Sequence, residues 1–214
     1  FQGQSIGPTA GADGRWIVYL AAVPASMVPA ELTVTGRNVV TVKDILVGEV
    51  WLASGQSNME WPLLWVTNGA QEVAVAIFPQ LRLFTVQHNV ADQPVATVGG
   101  AWAPCTPESV KMFSGVAYFF ARDLQRKLGV PVGLIGSYWG GTPIESWIGN
   151  ATLQSVPSWP AIDARWQQTL AEFPARSARY PTDLAAWNKA QTLAAATHVP
   201  NPLPWPTPLM GPGT

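Results

Sequence analysis

Two apolar segments that each lead into a glycine-containing turn constrain the fold of this chain most. Residues 47–53 read Val-Gly-Glu-Val-Trp-Leu-Ala and run into Ser54-Gly55-Gln56. Residues 132–136 read Val-Gly-Leu-Ile-Gly and run into a turn that contains Gly140 and Gly141. Short apolar runs bounded by turn residues are typical of buried strands. A further strand is predicted at 81–86.

The clearest helical pattern covers residues 115–128, between these segments. Its apolar residues lie near one side of a helix and its charged residues largely on the other. The apolar positions are Val116, Phe119, Phe120, Leu124 and Leu128. Gly129 and Pro131 are expected to end the helix. Strand, helix and strand in alternation indicate an α/β fold with a parallel sheet and flanking helices.

The two ends of the chain have different patterns. Residues 1–47 contain short strand candidates at 16–20, 31–35 and 38–42, which indicate a small β-structure. Residues 160–173 and 182–197 each predict one helix. The segment 199–212 has a proline at nearly every second position and is therefore expected to be extended and exposed.

Composition excludes several classes of function. The net charge is −1 and only 12% of the residues are charged, so nothing favours nucleic acid or an anionic membrane surface. No apolar run is long enough to span a bilayer. One cysteine, Cys105, and two histidines exclude a disulfide framework and make a metal site improbable. We expect no metal and no organic cofactor, and the low charge suggests a periplasmic or secreted protein.

Ser57 follows the first glycine turn, and two interpretations of it compete. A serine where a strand passes into a helix can attack an ester carbonyl, and the unpaired N–H groups of that first helical turn can bind the resulting oxyanion. Ser57 and Glu60 also have the spacing of a helix capping box, a purely structural role. The G-x-S-x-G nucleophile motif is not present.

The second glycine turn has a similar design. Thr142 and Glu145 have capping-box spacing, with Pro143 at the expected first helical position. Gly140 and Gly141 could then present N–H groups to an oxyanion. A phosphate-binding P-loop would need a lysine that this segment does not have, and the spacing does not fit a dinucleotide-binding motif.

The run Gly48-Glu-Val-Trp-Leu-Ala-Ser-Gly-Gln-Ser-Asn-Met-Glu-Trp-Pro62 resembles the nucleophile block of sialate O-acetylesterase-type enzymes, which are carbohydrate esterases of the SGNH (GDSL-like) hydrolase superfamily. Residues 132–147 resemble the second block of the same family. The resemblance implies an SGNH-hydrolase-like sheet and makes Ser57 the nucleophile. It assigns the oxyanion hole to a glycine N–H, of Gly141 first and of Gly140 second.

The resemblance also implies a domain organisation. Residues 1–47 would be the remnant of an N-terminal β-domain. Residues 48–214 would be the first part of the catalytic domain, with a helical insertion at about 150–198 and the proline-rich tail. In this family the catalytic Asp-x-x-His lies near the C-terminus, and residues 1–214 contain no such motif. Neither His88 nor His198 is expected to be the base.

We therefore expect the chain to be a fragment, completed by a second polypeptide that carries the Asp-x-x-His segment. The leading hypothesis is a serine esterase that removes O-acetyl groups from carbohydrate through an acyl-enzyme on Ser57. Trp61, Trp139 and Gln56 are expected to contact the sugar. The alternatives are an inactive sugar-binding or scaffold module, and a lipase or thioesterase of the same superfamily.

Overall fold

The computed structural model describes residues 1–91 and 93–206. The chain divides into two compact units, Phe1–Pro143 and Ile144–Thr214. In the first unit, β1 (Ser26–Thr35) and β2 (Val39–Val47) form an antiparallel hairpin. The predicted strands at 31–35 and 38–42 are thereby confirmed, with Gly36 in the turn.

The predicted strand at 16–20 is wrong. A strand needs a neighbouring strand for its backbone hydrogen bonds, and the described residues provide none here. The adjacent backbone bonds to a side chain instead: N–H of Ala21 donates to Oε1 of Gln4 at 2.7 Å, and O of Ala21 accepts from Nε2 of Gln4 at 3.1 Å.

The main sheet has four strands, namely β3 (Glu49–Gly55), β4 (Phe78–Thr85), β5 (Trp102–Cys105) and β6 (Val132–Tyr138), in the order β3-β6-β4-β5. β6 pairs in parallel with both β3 and β4. The predicted α/β fold is confirmed for these three strands. β5 pairs antiparallel with β4, so the sheet is mixed.

Four helices accompany the sheet in this unit: α1 (Ser57–Glu60), α2 (Gly69–Val75), α3 (Pro107–Val110) and α4 (Gly115–Leu128). A short 3-10 helix, Leu63–Trp65, separates the first two. The core between the helices and the sheet contains mainly aliphatic side chains from both, among them Leu63, Leu81, Val110, Val132 and Leu134.

Helix α4 has the predicted bounds, but its buried face differs from the predicted one. Ala117, Tyr118 and Ala121 are buried, whereas Val116 and Phe120 are largely exposed. The buried residues are three, four and seven positions after Ser114, so they do share one helical face. Two of these three residues are alanines, so a count of large apolar residues does not reveal this face.

The hairpin is joined to the main sheet by side chains and by one residue of backbone. Arg82 on β4 donates two hydrogen bonds to Asp44 on β2, at 2.6 and 2.9 Å. Gly48 is the single residue between β2 and β3. A side chain at Gly48 would collide with the carbonyl group of Pro131, so this close approach requires glycine.

The second unit is helical, with the 3-10 helix Ile144–Trp147 and the helices α5 (Asn150–Gln154) and α6 (Trp159–Thr197). Two separate helices were expected at 160–173 and 182–197. The structure has instead one helix of 39 residues that continues through Pro174 and Pro181. Each proline removes one backbone donor and favours a kink, but neither ends this helix.

The described part of the proline-rich segment, 199–206, forms neither helix nor strand. It is attached to α6, because Trp205 packs edge-on against Trp187 at 4.4 Å and Nδ2 of Asn201 donates to O of Trp187 at 3.2 Å. The rest of that prediction, 207–212, lies outside the described residues. Within 1–91 and 93–206, no helix is both long and apolar enough to cross a membrane.

Candidate functional site

The two glycine turns lie at the same edge of the sheet. β3 and β6 are parallel neighbours, and their last residues, Gly55 and Tyr138, form a register pair. N–H of Trp139 then donates to O of Gly55 at 3.0 Å, which extends the pairing into the turns. Ligands of open α/β sheets bind at such carboxyl edges, so this edge is the candidate site.

Ser57 is the first residue of α1 and is exposed. Oε1 of Gln56 accepts from the Ser57 N–H at 2.9 Å and from the Ser57 hydroxyl at 2.6 Å. A backbone N–H can only donate, so the atom of Gln56 that faces it must be the amide oxygen. The Ser57 hydroxyl proton therefore points at an amide oxygen, which accepts a hydrogen bond but is too weak a base to remove the proton.

The capping-box interpretation of Ser57 and Glu60 is wrong. Gln56 is the N-cap residue of α1, and Ser57 lies inside the helix. The Glu60 carboxylate does not return to its own helix, because Oε2 accepts from the N–H of Gly140 at 2.5 Å. A capping box does occur in this unit, between Thr106 and Ser109 at the start of α3.

Gly140 comes close to the candidate nucleophile. A methyl group placed on Gly140 would lie 3.5 Å from Oγ of Ser57 and 2.7 Å from Oε2 of Glu60. Gly141 has φ = +81°, with no atom within 4 Å of the position of a Cβ. This backbone conformation favours glycine even though there is space for a side chain. A side chain at Gly140 would thus displace the Glu60 carboxylate, whereas Gly141 is favoured by its dihedral angle.

Beyond Gly141, the turn continues into Thr142 and Pro143. Oγ1 of Thr142 donates to O of Trp139 at 2.7 Å. Pro143 was expected at the first position of an α-helix, but the following helix is a 3-10 helix that begins at Ile144. Glu145, within that helix, accepts from Nη2 of Arg165 at 2.6 Å.

His88 lies beside the same turn. Its ring stacks on the indole of Trp139 at 4.1 Å, with 8° between the planes. Nε2 of His88 is 2.9 Å from O of Tyr138 and 3.7 Å from Oε1 of Glu60. Because a carbonyl oxygen can only accept, Nε2 carries a proton in this contact. Nε2 therefore has no lone pair with which to take the proton of a serine.

A buried hydrogen bond connects the end of β6 to the start of α4. The phenol oxygen of Tyr138 accepts from the N–H of Ser114 at 3.3 Å, and burial raises the pKa of Tyr138. Ser114 is the N-cap of α4 and accepts from the Ala117 N–H at 3.1 Å. Its hydroxyl also lies 3.7 Å from Sδ of Met59. These contacts tie the start of α4 to the two residues that flank the site, Met59 and Tyr138.

The tryptophans near the site differ in accessibility. Trp61, directly after α1, is 49% exposed and lies edge-on to Trp65 at 5.6 Å. Trp139 is half-buried, and His88 covers one of its faces. Among the described residues, no group of three or more His, Cys, Asp or Glu side chains is arranged to hold a metal ion.

Two features of this site were not predicted from the sequence. The first is the hydrogen bond from Gly140 to Glu60, which joins residues 80 positions apart. The second is the position of His88, of which the sequence predicted only that it is not the base. The aromatic Trp139 beside the glycine pair was a signal for a stacked partner, but nothing in the sequence identified His88 as that partner.

The mixed sheet, the flanking helices and a solved relative together give the chain an α/β fold of the SGNH-hydrolase type. That relative is a carbohydrate acetylesterase from Xanthomonas citri, known from a crystal structure. It is 45% identical, with a TM-score of 0.65, over 67% of this chain and 34% of the other.

Curated proteins of similar sequence are sialate O-acetylesterases. Those of Pongo abelii and Homo sapiens are each 37% identical over 123 residues, which are 53% of this chain and 24% of theirs. That of Rattus norvegicus is 32% identical over 158 residues, 68% of this chain and 29% of its own. No family model matches the chain. The predicted resemblance to sialate O-acetylesterase-type carbohydrate esterases is confirmed, for a chain that spans less than a third of these relatives.

Proposed function

We propose that this chain carries the nucleophile of a serine esterase that removes O-acetyl groups from carbohydrate. The observation that carries the proposal is the convergence of the two glycine turns on an exposed serine, with Gly140 packed against Ser57. The names of the similar proteins support acetylated sugar as the substrate. The low charged fraction, 12%, supports a periplasmic or secreted location.

In the proposed reaction, Oγ of Ser57 attacks the acetyl carbonyl carbon while a base takes the hydroxyl proton. The carbonyl oxygen becomes an oxyanion, and the sugar hydroxyl then leaves with the proton that the base returns. Water repeats the sequence on the acyl-enzyme, releasing acetate and restoring Ser57. Gln56 must release the Ser57 hydroxyl for the first step, because it holds that proton in the free chain.

The oxyanion donor is assigned to Gly141 in preference to Gly140. The Gly140 N–H already donates to a carboxylate, and the Ser57 N–H donates to Gln56. Among the described residues, the Gly141 N–H has no hydrogen-bond partner. Donors of this kind act by being oriented in advance toward the developing charge. Trp61, half exposed four residues after Ser57, offers a ring face on which a sugar could stack.

The general base is assigned to residues outside 1–214, on a second polypeptide or a further segment with Asp-x-x-His. The exposed edge of the sheet supports this assignment. β3 pairs only with β6 within the described residues, and its Val50 and Leu52 are 62% and 66% exposed. Parallel strands are normally covered on both faces. A strand and helix from additional chain would cover β3 and bring a histidine to the same carboxyl edge.

The proposal is tested by labelling with a fluorophosphonate probe, on the purified protein together with every chain that intact mass finds beside it. We expect labelling of the wild-type protein and none of Ser57→Ala. The matched control is Ser54→Ala, which changes the exposed serine of the same turn and should still be labelled. An unlabelled wild-type protein would favour an inactive sugar-binding module.

Substrate class is tested with a series of esters of increasing acyl length. An acetylesterase has a preference for acetyl over butyryl and longer chains. A preference for long chains would instead favour a lipase or thioesterase, and would remove the argument for carbohydrate acetyl groups.

A further inference from the structure

Glu60 connects the helix that begins at Ser57 to the second glycine turn. It is the last residue of α1, three positions after the nucleophile, and its Oε2 accepts from the N–H of Gly140. The acceptor is a carboxylate, and hydrogen bonds to an ionised acceptor are stronger than those between neutral groups.

The second oxygen of Glu60 faces His88. Oε1 lies 3.7 Å from Nε2 of His88, and the His88 ring is fixed by its stack on Trp139 and its contact with O of Tyr138. The carboxylate therefore accepts from a peptide N–H through Oε2, while Oε1 lies beside the His88 ring.

The backbone of the turn is fixed residue by residue. O of Tyr138 contacts His88, the N–H of Trp139 donates to Gly55, and the N–H of Gly140 donates to Glu60. The next N–H along the chain is that of Gly141, the proposed oxyanion donor. With the Gly140 peptide held by Glu60, the orientation of the following peptide group has only the two dihedral angles of Gly140 left to vary.

From these contacts we infer that Glu60 is a positioning residue of the esterase site. The inference rests on the proposed function. Glu60 fixes the Gly140 peptide, so that the Gly141 N–H is presented beside Ser57. The sequence pattern had suggested only a helix cap for this residue.

The test compares Glu60→Ala with Glu60→Gln, which keeps an oxygen that can accept from Gly140 but has no charge. Glu108→Ala is the matched control, since Glu108 is an exposed carboxylate of α3 that pairs with Lys111. Two quantities are measured in the same preparation: the rate constant for fluorophosphonate labelling of Ser57, and the amide proton shift of Gly140 by NMR.

We expect Glu60→Ala to slow labelling roughly 10- to 100-fold, because a misplaced donor loses much of its effect. The Gly140 amide proton should move upfield with the loss of its acceptor. Glu60→Gln should recover most of the labelling rate, which a general loss of folding would not allow, and Glu108→Ala should match the wild type.

Equal labelling rates for wild type and Glu60→Ala, or a Gly140 amide that does not respond, would overturn the positioning role while leaving the esterase proposal intact. Faster labelling of Glu60→Ala would also overturn it, since Glu60 would then be blocking Gly140. A wild-type protein that is not labelled would overturn the esterase proposal, and this inference with it.

Discussion

At the scale of single residues, two adjacent glycines perform different tasks. Gly140 leaves room, since any side chain there would press on Glu60 and approach Ser57. Gly141 is open to solvent on its Cβ side but has a left-handed backbone, φ = +81°. L-residues adopt this conformation at a cost of about 1–2 kcal/mol. One substitution therefore tests packing and the other tests backbone strain.

Gly141→Ala should lower the free energy of unfolding by about 1–2 kcal/mol through backbone strain alone. Urea titrations of the variant and the wild type measure the difference. Gly7→Ala is the control, because Gly7 also has open space around it and has no positive φ. Equal free energies of unfolding for both variants would mean that the Gly141 turn relaxes without cost.

The sequence predicted Ser57 and the glycine pair because their chemistry is local: a turn residue, a small residue and a nucleophile at the end of a strand. The role of Glu60 could not be predicted in the same way. Its partner is a backbone N–H that becomes its neighbour only because β3 and β6 lie side by side in register. A pairing of that kind depends on the sheet and has no signature in the spacing of residues.

At the scale of helices and strands, a polar cluster joins α2 to α4. Oε1 of Glu72 on α2 accepts from the Tyr118 hydroxyl at 2.7 Å and from Nη1 of Arg122 at 2.6 Å. Burial alone would raise the pKa of Glu72, but the hydrogen bonds from Tyr118 and Arg122 outweigh it and lower that pKa below the ordinary 4.5. Burial, together with the hydrogen bond to Glu72, raises the pKa of Tyr118.

The lowered pKa gives the cluster a defined pH dependence. Glu72 stabilises the fold above its ordinary pKa of 4.5, and this contribution is lost as the pH falls through the lower pKa of the folded state. Glu72→Gln should therefore be less stable than wild type by about 1–3 kcal/mol at pH 7. The difference should shrink as the pH is lowered toward 3.

Urea unfolding at a series of pH values measures that difference. The control is Glu108→Gln, whose carboxylate is 85% exposed and should matter little at any pH. A stability gap for Glu72→Gln that stays constant from pH 7 to 3 would show that the carboxylate charge is not what joins the two helices.

Element types were predictable where the pattern was local: a helical period for α4, and short apolar runs bounded by turn residues for the three parallel strands. They were not predictable where partners decide the outcome. Residues 16–20 have a strand-like composition but no strand beside them, whereas β5, which contains Pro104, pairs with β4 at its outer edge. The two helices predicted at 160–173 and 182–197 are one helix, α6, which also contains Pro174 and Pro181.

At the scale of the whole molecule, the two units differ in how many buried residues each one contains. The first unit has a core that includes Leu63, Leu81, Tyr118 and Val132. Among the described residues of the second unit, only Ala194 is buried. Burial of apolar surface is the main source of stability. The second unit should therefore have the lower free energy of unfolding.

This difference predicts two separate unfolding transitions in urea. The circular dichroism at 222 nm should fall first, because α6 supplies 39 helical residues against 14 in α4. Alkylation of Cys105 should follow at higher urea, since the thiol belongs to the first core and burial raises its pKa to about 11. Cys105→Ser provides the unlabelled control. Coincident transitions would mean that the chain unfolds as one cooperative unit.

The single-residue connection at Gly48 has a practical consequence for measurement. Only one residue separates β2 from β3, and Arg82 on β4 binds Asp44 on β2. The hairpin therefore cannot rotate freely relative to the main sheet. β3 then acts as a rod about 23 Å long between that junction and the turn before Ser57. A spectroscopic label at the hairpin turn beside Gly36 would therefore report the orientation of the nucleophile strand from outside the reaction centre.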